Sequence, residues 1–225
     1  MEVRAANAPA NPILTGKRNP VPFLPPPDPG IEITVATKGM SKGLAQTDGG
    51  QVVVRGELVS GHLYIGGLAK NLADSTADAE LQYAVGGRWK VAKVDVNLSA
   101  AYKRWVDSRN TDSEAVEFGM TASRSFGALT PRALLIYSPE DLGSTTRSLY
   151  AEGGVGWKLS KSLQLSANIG RRIRGNALDY MSGNVGLSFA LNPNFTAEAR
   201  LYDTDKSDAG DPFKRRIVAS LRAKF

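Results

Sequence analysis

The last thirteen residues of the chain alternate strictly between two kinds of side chain. One set is Phe213, Arg215, Ile217, Ala219, Leu221, Ala223 and Phe225, and the other is Lys214, Arg216, Val218, Ser220, Arg222 and Lys224. Successive side chains of a β-strand point to opposite faces, so this strand has one mainly apolar and one mainly cationic face. A strand in a soluble sandwich rarely carries so many cations and then ends on an aromatic residue. A strand between lipid and water does both, which predicts a transmembrane β-barrel.

The hydrophobicity of the chain favours membrane strands over membrane helices. The longest uninterrupted apolar run is residues 133–137, far short of the roughly 20 residues that a membrane helix needs. The mean hydropathy is slightly negative, as expected when only alternate residues of each strand face lipid. Because backbone groups in lipid must be paired within the protein, such a chain has to close into a barrel.

Cysteine content and net charge limit the possible ligands. The chain has no cysteine and a net charge of +6, so it has no thiolate metal ligand and no disulfide, and we predict neither a metal nor another cofactor. A basic chain can bind nucleic acid, but these cations are spread along strands and form no basic helix or RNA-binding motif. We therefore expect no nucleic-acid partner. Residues 1–17 lack the apolar core of an export signal, so we expect that signal to have been removed.

Residues 1–30 differ in composition from the rest of the chain. Eight of the twelve prolines lie there, namely Pro9, Pro12, Pro20, Pro22, Pro25, Pro26, Pro27 and Pro29. Such a segment favours polyproline II structure and cannot join the interior of a sheet. It could be a flexible tether, dock a periplasmic or envelope protein, or plug a lumen. We predict a proline-rich periplasmic extension, residues 1–30, followed by a barrel, residues 31–225.

The barrel region divides into about twelve strands that are joined by alternately tight and long connections. The predicted strands are Ile31–Met40, Gln51–Val59, His62–Leu68, Ala79–Trp89, Val94–Trp105, Ala115–Arg124, Arg132–Ser138, Arg147–Lys158, Leu163–Arg172, Tyr180–Ala190, Phe195–Tyr202 and the final strand ending at Phe225. Strands of this length cross a bilayer at a tilt. An even strand number with short turns at one end is typical of bacterial outer-membrane barrels, and it predicts that both termini are periplasmic.

Aromatic residues of the apolar faces collect at the end of the barrel that carries the tight turns. They are Trp89, Trp157, Phe189, Phe195 and Phe225. Aromatic rings prefer the headgroup boundary, so we interpret this set as an interfacial girdle. The terminal Phe225 also matches the assembly signal of outer-membrane barrels, which predicts recognition by the barrel assembly machinery. Outer-membrane lipid and lipopolysaccharide are the expected surroundings.

Charged residues fall on the opposite faces of the predicted strands. A charge that faces lipid at mid-membrane costs about 2–4 kcal/mol, so we expect these side chains to line the lumen. The predicted lumen charges are Arg55, Glu57, Glu80, Arg88, Lys103, Glu117, Arg132, Glu152, Arg172, Glu198, Arg200 and Arg222.

Three segments resemble a known family. Residues 37–49 read TKGMSKGLAQTDG, a following strand reads GHLYIGGLAKN, and residues 137–140 read YSPE. In these segments the chain resembles the TorF-type putative porins of proteobacteria over about residues 31–225. Lys38 stands where the family usually has Arg, and residues 42–45 lengthen the first motif. The resemblance implies an outer-membrane porin but says little about the solute.

The charged lumen leaves two functions open at the level of sequence. Opposed Arg and Glu ladders could pass small hydrophilic, preferably anionic, solutes by diffusion. The same charges could instead pair and fill the lumen, leaving a structural anchor or a subunit of an envelope complex. We expect no enzyme, because the only histidine, His62, is predicted beside a tight turn, away from the outer rim where barrel hydrolases hold their catalytic groups.

Overall fold

Twelve antiparallel strands close into a single barrel, as the sequence predicts. The computed structural model describes residues 25, 27–72, 76–109, 112–143 and 146–225. In chain order the strands are β1 (Asp28–Ala36), β2 (Met40–Ser41), β3 (Leu44–Ala45), β4 (Gln51–Ser60), β5 (Leu63–Asn71), β6 (Ala79–Val91), β7 (Val94–Val106), β8 (Glu114–Ser123), β9 (Leu129–Ser138), β10 (Ser148–Lys158), β11 (Leu163–Arg174), β12 (Tyr180–Ala190), β13 (Phe195–Thr204) and β14 (Arg216–Lys224). Strands β2 and β3 form a separate hairpin, and the other twelve form the barrel.

Among the described residues, helical structure is confined to two single turns in the link between β13 and β14. These 3-10 turns are η1 (Ser207–Ala209) and η2 (Asp211–Phe213). In the part of the chain that the structure describes, no helix is long and apolar enough to cross a membrane.

The barrel closes where the first strand pairs with the last. Ile31 and Phe225 exchange both of their backbone hydrogen bonds, with N···O distances of 3.0 and 2.9 Å. Two residues earlier, Pro29 has its backbone nitrogen on the same side of β1, beyond the end of β14. A residue without an N–H is tolerated there because no donor is needed. This explains why β1 begins at Asp28, three residues before the predicted start, within a proline-rich segment.

The two faces of the strands differ as period two requires. Along β4, Val52 and Val54 are 47% and 43% exposed and lie on the outside. Hydrogen bonds that span two strands lie on the other face, which is therefore concave. For example, Arg88 of β6 donates to Glu57 of β4, and Arg200 of β13 donates to Ser166 of β11. An apolar exterior around a polar interior is the arrangement of a membrane-spanning barrel.

The links between barrel strands are of two kinds. At one end, the five links contain two to five residues, and at the other end the six links contain five to fourteen. We call these the short-turn end and the long-loop end. The tightest turns are two residues long, and in one of them Ala92 and Lys93 both have positive φ, of 49° and 69°. That geometry matches the twist of a two-residue hairpin.

The predicted first strand is too long at its carboxyl end. Strand β1 ends at Ala36, and Met40 belongs to the small β2–β3 hairpin. The chain leaves the barrel wall at Thr37, whose N–H donates to Ala219 O at 2.9 Å and whose hydroxyl accepts from Ala219 N at 3.1 Å. These two bonds finish the pairing with β14 and free the following residues to turn into the lumen.

Deleting Phe225 is expected to weaken the barrel more than replacing it with alanine. Deletion removes two seam hydrogen bonds, together worth about 1–3 kcal/mol of unfolding free energy. Phe225→Ala keeps both bonds and removes a ring that is 68% exposed. Denaturant unfolding in detergent micelles, followed by fluorescence of the three tryptophans, measures the difference. Equal losses of stability in the two variants would contradict this account of the seam.

Candidate functional site: the barrel lumen

The long-loop half of the lumen contains the β2–β3 hairpin. Its tip is a two-residue turn in which Lys42 and Gly43 have φ values of 49° and 83°. At its neck, Gln46 N donates to Gly39 O at 2.8 Å, and Gly39 N donates to the Thr47 hydroxyl at 2.7 Å. The hairpin is thus a small closed unit with its own hydrogen bonds, and it presents Lys42 at its tip.

The tip of the hairpin enters a buried cluster of charges. Lys42 Nζ lies 2.5 Å from a carboxylate oxygen of Glu117 and 3.7 Å from one of Asp141. Lys103 Nζ lies 2.7 Å from the second oxygen of Glu117, and Arg172 forms an ion pair with Asp141. The Lys42, Glu117 and Asp141 side chains are each less than one-tenth exposed. Buried charges require such partners, since an isolated one is strongly unfavourable.

The hairpin also has a seat on the wall at β12. The Tyr180 hydroxyl donates to Lys42 O at 2.7 Å. Gly43 lies so close to the wall that a Cβ there would come within 2.3 Å of Ser182 Cβ. Only glycine combines this close approach with a left-handed φ. The Tyr180 ring in turn meets Phe213 of η2 edge-on, with centroids 5.5 Å apart.

A second buried group holds the base of the hairpin. Lys70 Nζ lies 3.2 Å from a carboxylate oxygen of Glu80 and donates to Gln46 Oε1 at 2.6 Å. The indole N–H of Trp105 donates to the other carboxylate oxygen of Glu80 at 3.2 Å. Glu80 is only 2% exposed and has both oxygens satisfied.

A polar ladder lines one wall of the lumen towards the short-turn end. Arg132 Nε donates to Asn168 at 2.9 Å, and Asn168 donates to Asn184 at 2.7 Å. Arg200 donates to Asn184 at 2.5 Å and to Ser166 at 2.7 Å. Two carboxylates complete the ladder: Glu152 pairs with Arg132 at 2.7 Å, and Glu198 pairs with Arg200 at 2.8 Å.

The facing wall is more open to water. Arg88 donates to both oxygens of Glu57, at 3.2 and 2.7 Å, and its guanidinium lies 4.4 Å from the centre of the Tyr64 ring. Both charged side chains are roughly one-third to one-half exposed. Arg55 and Arg222 make no ion pair with any residue of the described ranges. A cavity of about 280 Å³ opens here, lined in part by Arg55, Glu57 and Arg88.

The aromatic residues predicted as a girdle lie on outward-facing positions near the short-turn end. Trp89, Trp157 and Phe189 are 38%, 49% and 45% exposed. Phe195 begins β13 opposite Ala223, and Phe225 follows the end of β14. His62 lies in the turn after β4 with its Nδ1 3.0 Å from Arg88 O. Among the described residues, no three His, Asp or Glu side chains converge closely enough to hold a metal ion.

Sequence reasoning missed the residues that hold the hairpin. Lys42 and Asp141 were not among the predicted lumen charges, because they lie in links and not on the alternating face of a strand. The signal that could have identified the hairpin tip is the Lys-Gly pair between Ser41 and Leu44, a typical two-residue turn.

The ionised Asp141 carboxylate is expected to raise the free energy of unfolding of the barrel down to low pH. Burial raises the pKa of Asp141, but the charges of Lys42 and Arg172 and the hydrogen bonds from Ser148 and Arg172 outweigh this and lower the pKa to about 2. The folded-state pKa is thus below the unfolded value of about 3.9. The stabilisation, about 2–3 kcal/mol, is therefore present above roughly pH 4 and is lost as the pH falls towards 2.

Unfolding of the wild type and of Asp141→Asn between pH 5 and pH 2 tests this expectation. The difference in their unfolding free energies should shrink as the pH falls through this window. Asp208→Asn, at an exposed position in η1, is the matched control. A wild-type advantage over Asp141→Asn that stays constant down to pH 2 would contradict the lowered pKa.

Comparison with known proteins shows similarity at the level of fold. No protein-family model matches the sequence, and no curated protein matches it either. Among solved structures, the KdgM porin matches with a TM-score of 0.58 and 8% identity, over 87% of this chain and 99% of its own. The NanC porin matches with a TM-score of 0.59 and 9% identity, over 87% and 98% of the two chains.

A third structure covers nearly the whole chain. An outer-membrane channel from Pseudomonas putida F1 matches with a TM-score of 0.52 and 11% identity, over 99% of both chains. At these identities the comparisons establish a shared barrel architecture.

Proposed function

We propose that this chain is an outer-membrane porin-like channel that passes small hydrophilic solutes, preferentially anions, by diffusion. The observation that carries the proposal is a closed twelve-strand barrel with an apolar outside and a charged, partly open inside. Similarity in fold to outer-membrane porins supports the same function. The resemblance of the sequence to TorF-type porins is consistent with it and stays a prediction.

The proposed preference for anions follows from the cations that line the lumen towards the short-turn end. Carboxylates there have cationic partners, as in Arg88–Glu57, Arg132–Glu152 and Lys224–Glu32. Arg55 and Arg222 add positive charge without an ion pair to any described residue. Uncompensated charge along a narrow aqueous path raises the local concentration of the opposite ion. One of the similar porins was solved in complex with oligogalacturonate, an anionic sugar chain.

The orientation in the membrane follows from the two kinds of link. Short turns face the periplasm in outer-membrane barrels, and longer loops face outwards. On this assignment both ends of the chain are periplasmic, the aromatic side chains at the short-turn end contact the inner headgroups, and Phe225 is presented to the barrel assembly machinery. The long-loop end then faces lipopolysaccharide.

A second proposed role belongs to the proline-rich segment. The structure describes Pro25, whose carbonyl accepts a hydrogen bond from the Ser60 hydroxyl. The chain therefore enters the barrel beside the β4–β5 turn, at the short-turn end. We propose that residues 1–24 bind a periplasmic or envelope protein. Deleting residues 1–24 should then remove a co-purifying partner and leave channel conductance unchanged. Higher conductance after deletion would instead support a plugging role.

Neutralising Arg55 and Arg222 is expected to reduce the anion preference. A unit charge about 10 Å away changes the energy of an ion in water by about 0.4 kcal/mol, so losing two charges should lower anion permeability relative to cations by a few-fold. The measurement is the reversal potential in a salt gradient across a planar bilayer, comparing the wild type with the Arg55→Gln, Arg222→Gln double variant.

Arg104→Gln provides a matched control for this experiment. Arg104 lies on the outer face of β7, 3.8 Å from Glu114, so its loss should leave the reversal potential unchanged. A wild-type channel that prefers cations would overturn the anion preference. A folded wild-type barrel that carries no current under any condition would overturn the channel function itself.

A further inference from the structure

We infer that the β2–β3 hairpin is a displaceable plug, whose undocking from the barrel wall opens the long-loop half of the lumen. This inference rests on the proposed channel function and adds to it the element that controls conductance. Four features of the structure support it: the path of the hairpin, the second partners of the charges it contacts, the unsatisfied polar groups where it docks, and the closed neck that keeps it together as one unit.

The hairpin and the side chain of Lys42 at its tip together reach across the lumen. The backbone of the tip lies against β12, and the ammonium group reaches Glu117 of β8 and Asp141. The hairpin grows from the link between β1 and β4, which are neighbours in the closed ring. Counting round the twelve strands from this pair, the strands diametrically opposite are β9 and β10. Asp141, which Lys42 approaches to 3.7 Å, lies in the link between those two strands. A segment that spans from one wall to the opposite wall obstructs the path along the axis.

The wall does not depend on the hairpin to satisfy its charges. Glu117 keeps Lys103 at 2.7 Å when Lys42 leaves, and Asp141 keeps Arg172 and the Ser148 hydroxyl. Removing one partner of a buried ion pair is costly when the other charge is left alone. Here neither carboxylate is left alone, and the departing ammonium group of Lys42 returns to water. Undocking therefore avoids the main cost of breaking a buried ion pair, which is a buried charge left without a partner.

The docked state has features that limit its stability. Burial lowers the pKa of Lys42, and the attraction of Glu117 and Asp141 does not fully offset this. Two buried polar atoms of the surrounding wall, Arg172 Nε and Ser182 Oγ, have no hydrogen-bond partner in the described structure. Unsatisfied buried groups are unfavourable and would gain water if the hairpin moved away.

The hairpin is built to move as one unit. The hydrogen bonds of Gly39 with Gln46 and Thr47 close its neck. Outside the neck, Thr37 is fixed to β14 on one side, and residues 48–50 are exposed on the other. Changes in the backbone angles of residue 38 and of residues 48–50 can therefore rotate the hairpin as a unit while its internal hydrogen bonds stay intact, as at a hinge.

A reversible crosslink between the hairpin and its seat tests the inference. The chain has no cysteine, so the Gly43→Cys, Ser182→Cys double variant carries one possible disulfide. A Cβ at residue 43 would lie 2.3 Å from Ser182 Cβ in the docked position, whereas a disulfide separates these atoms by about 3.5–4.5 Å, so the bond holds the tip beside its seat but about 1–2 Å further from the wall. Oxidised, the channel should conduct at least two-fold less than when reduced. The two single-cysteine variants, treated in the same way, control for strain at Gly43 and for the oxidant.

A charge reversal at the tip gives an independent test in the opposite direction. Lys42→Glu places a third carboxylate beside Glu117 and Asp141, and this repulsion should drive the hairpin out and raise conductance at least two-fold. Lys161→Glu, in the exposed turn between β10 and β11, is the matched control. Conductance that neither the crosslink nor Lys42→Glu alters would overturn the plug.

A readout without current separates failure of the plug from failure of the channel. A spin label at residue 41, partly exposed in the hairpin, and a second at exposed residue 161 report the position of the hairpin directly and leave Lys42 in place. A distance distribution that shifts or broadens when Lys42→Glu is added supports the plug, even in a barrel that proves not to conduct. A single narrow distance that Glu117→Gln, Asp141→Asn substitution leaves unchanged would overturn it, even in a barrel that conducts.

Discussion

Backbone pairing is the constraint from which the rest of this structure follows. In a bilayer no water is available to an unpaired amide, so the sheet must close on itself. Closure requires the first and last strands to be neighbours, and the mutual hydrogen bonds of Ile31 and Phe225 mark the point at which they meet. Pro29, which has no N–H to donate, lies just beyond that point, where β14 has ended and no hydrogen-bond donor is needed.

Closure also decides where charge can reside. Once the outer surface contacts lipid, charged side chains of the strands are favourable only inside, where they must find one another in a confined space. The two halves of the lumen meet this requirement differently. Towards the long loops, carboxylates such as Glu80 and Glu117 are buried and have several partners each. Towards the short turns, the Arg88–Glu57 pair remains in contact with water.

The sequence predicted the barrel well because alternation is a local signal that repeats in every strand. It failed for the hairpin, since two-residue strands carry too little alternation to be recognised, and the pattern extends the predicted first strand to Met40 although β1 ends at Ala36. It also could not pair Lys42 with Glu117, which lies 75 residues away. Such contacts depend on which strands face each other across the closed ring, and local pattern contains no information about that.

This plug is held by ion pairs and hydrogen bonds, which distinguishes it from a plug held by apolar packing. A hydrophobic plug would lose buried apolar area on leaving and would leave a cavity behind it, both of which oppose its release. The tip of this hairpin makes mainly polar contacts, and each carboxylate that it contacts has a second cation in the wall. Because water can replace these polar contacts and the wall keeps its own ion pairs, the free-energy difference between docked and undocked states is small compared with the stability of the barrel. A rigid barrel and a weakly held insert can thus coexist in one chain, since they depend on different interactions.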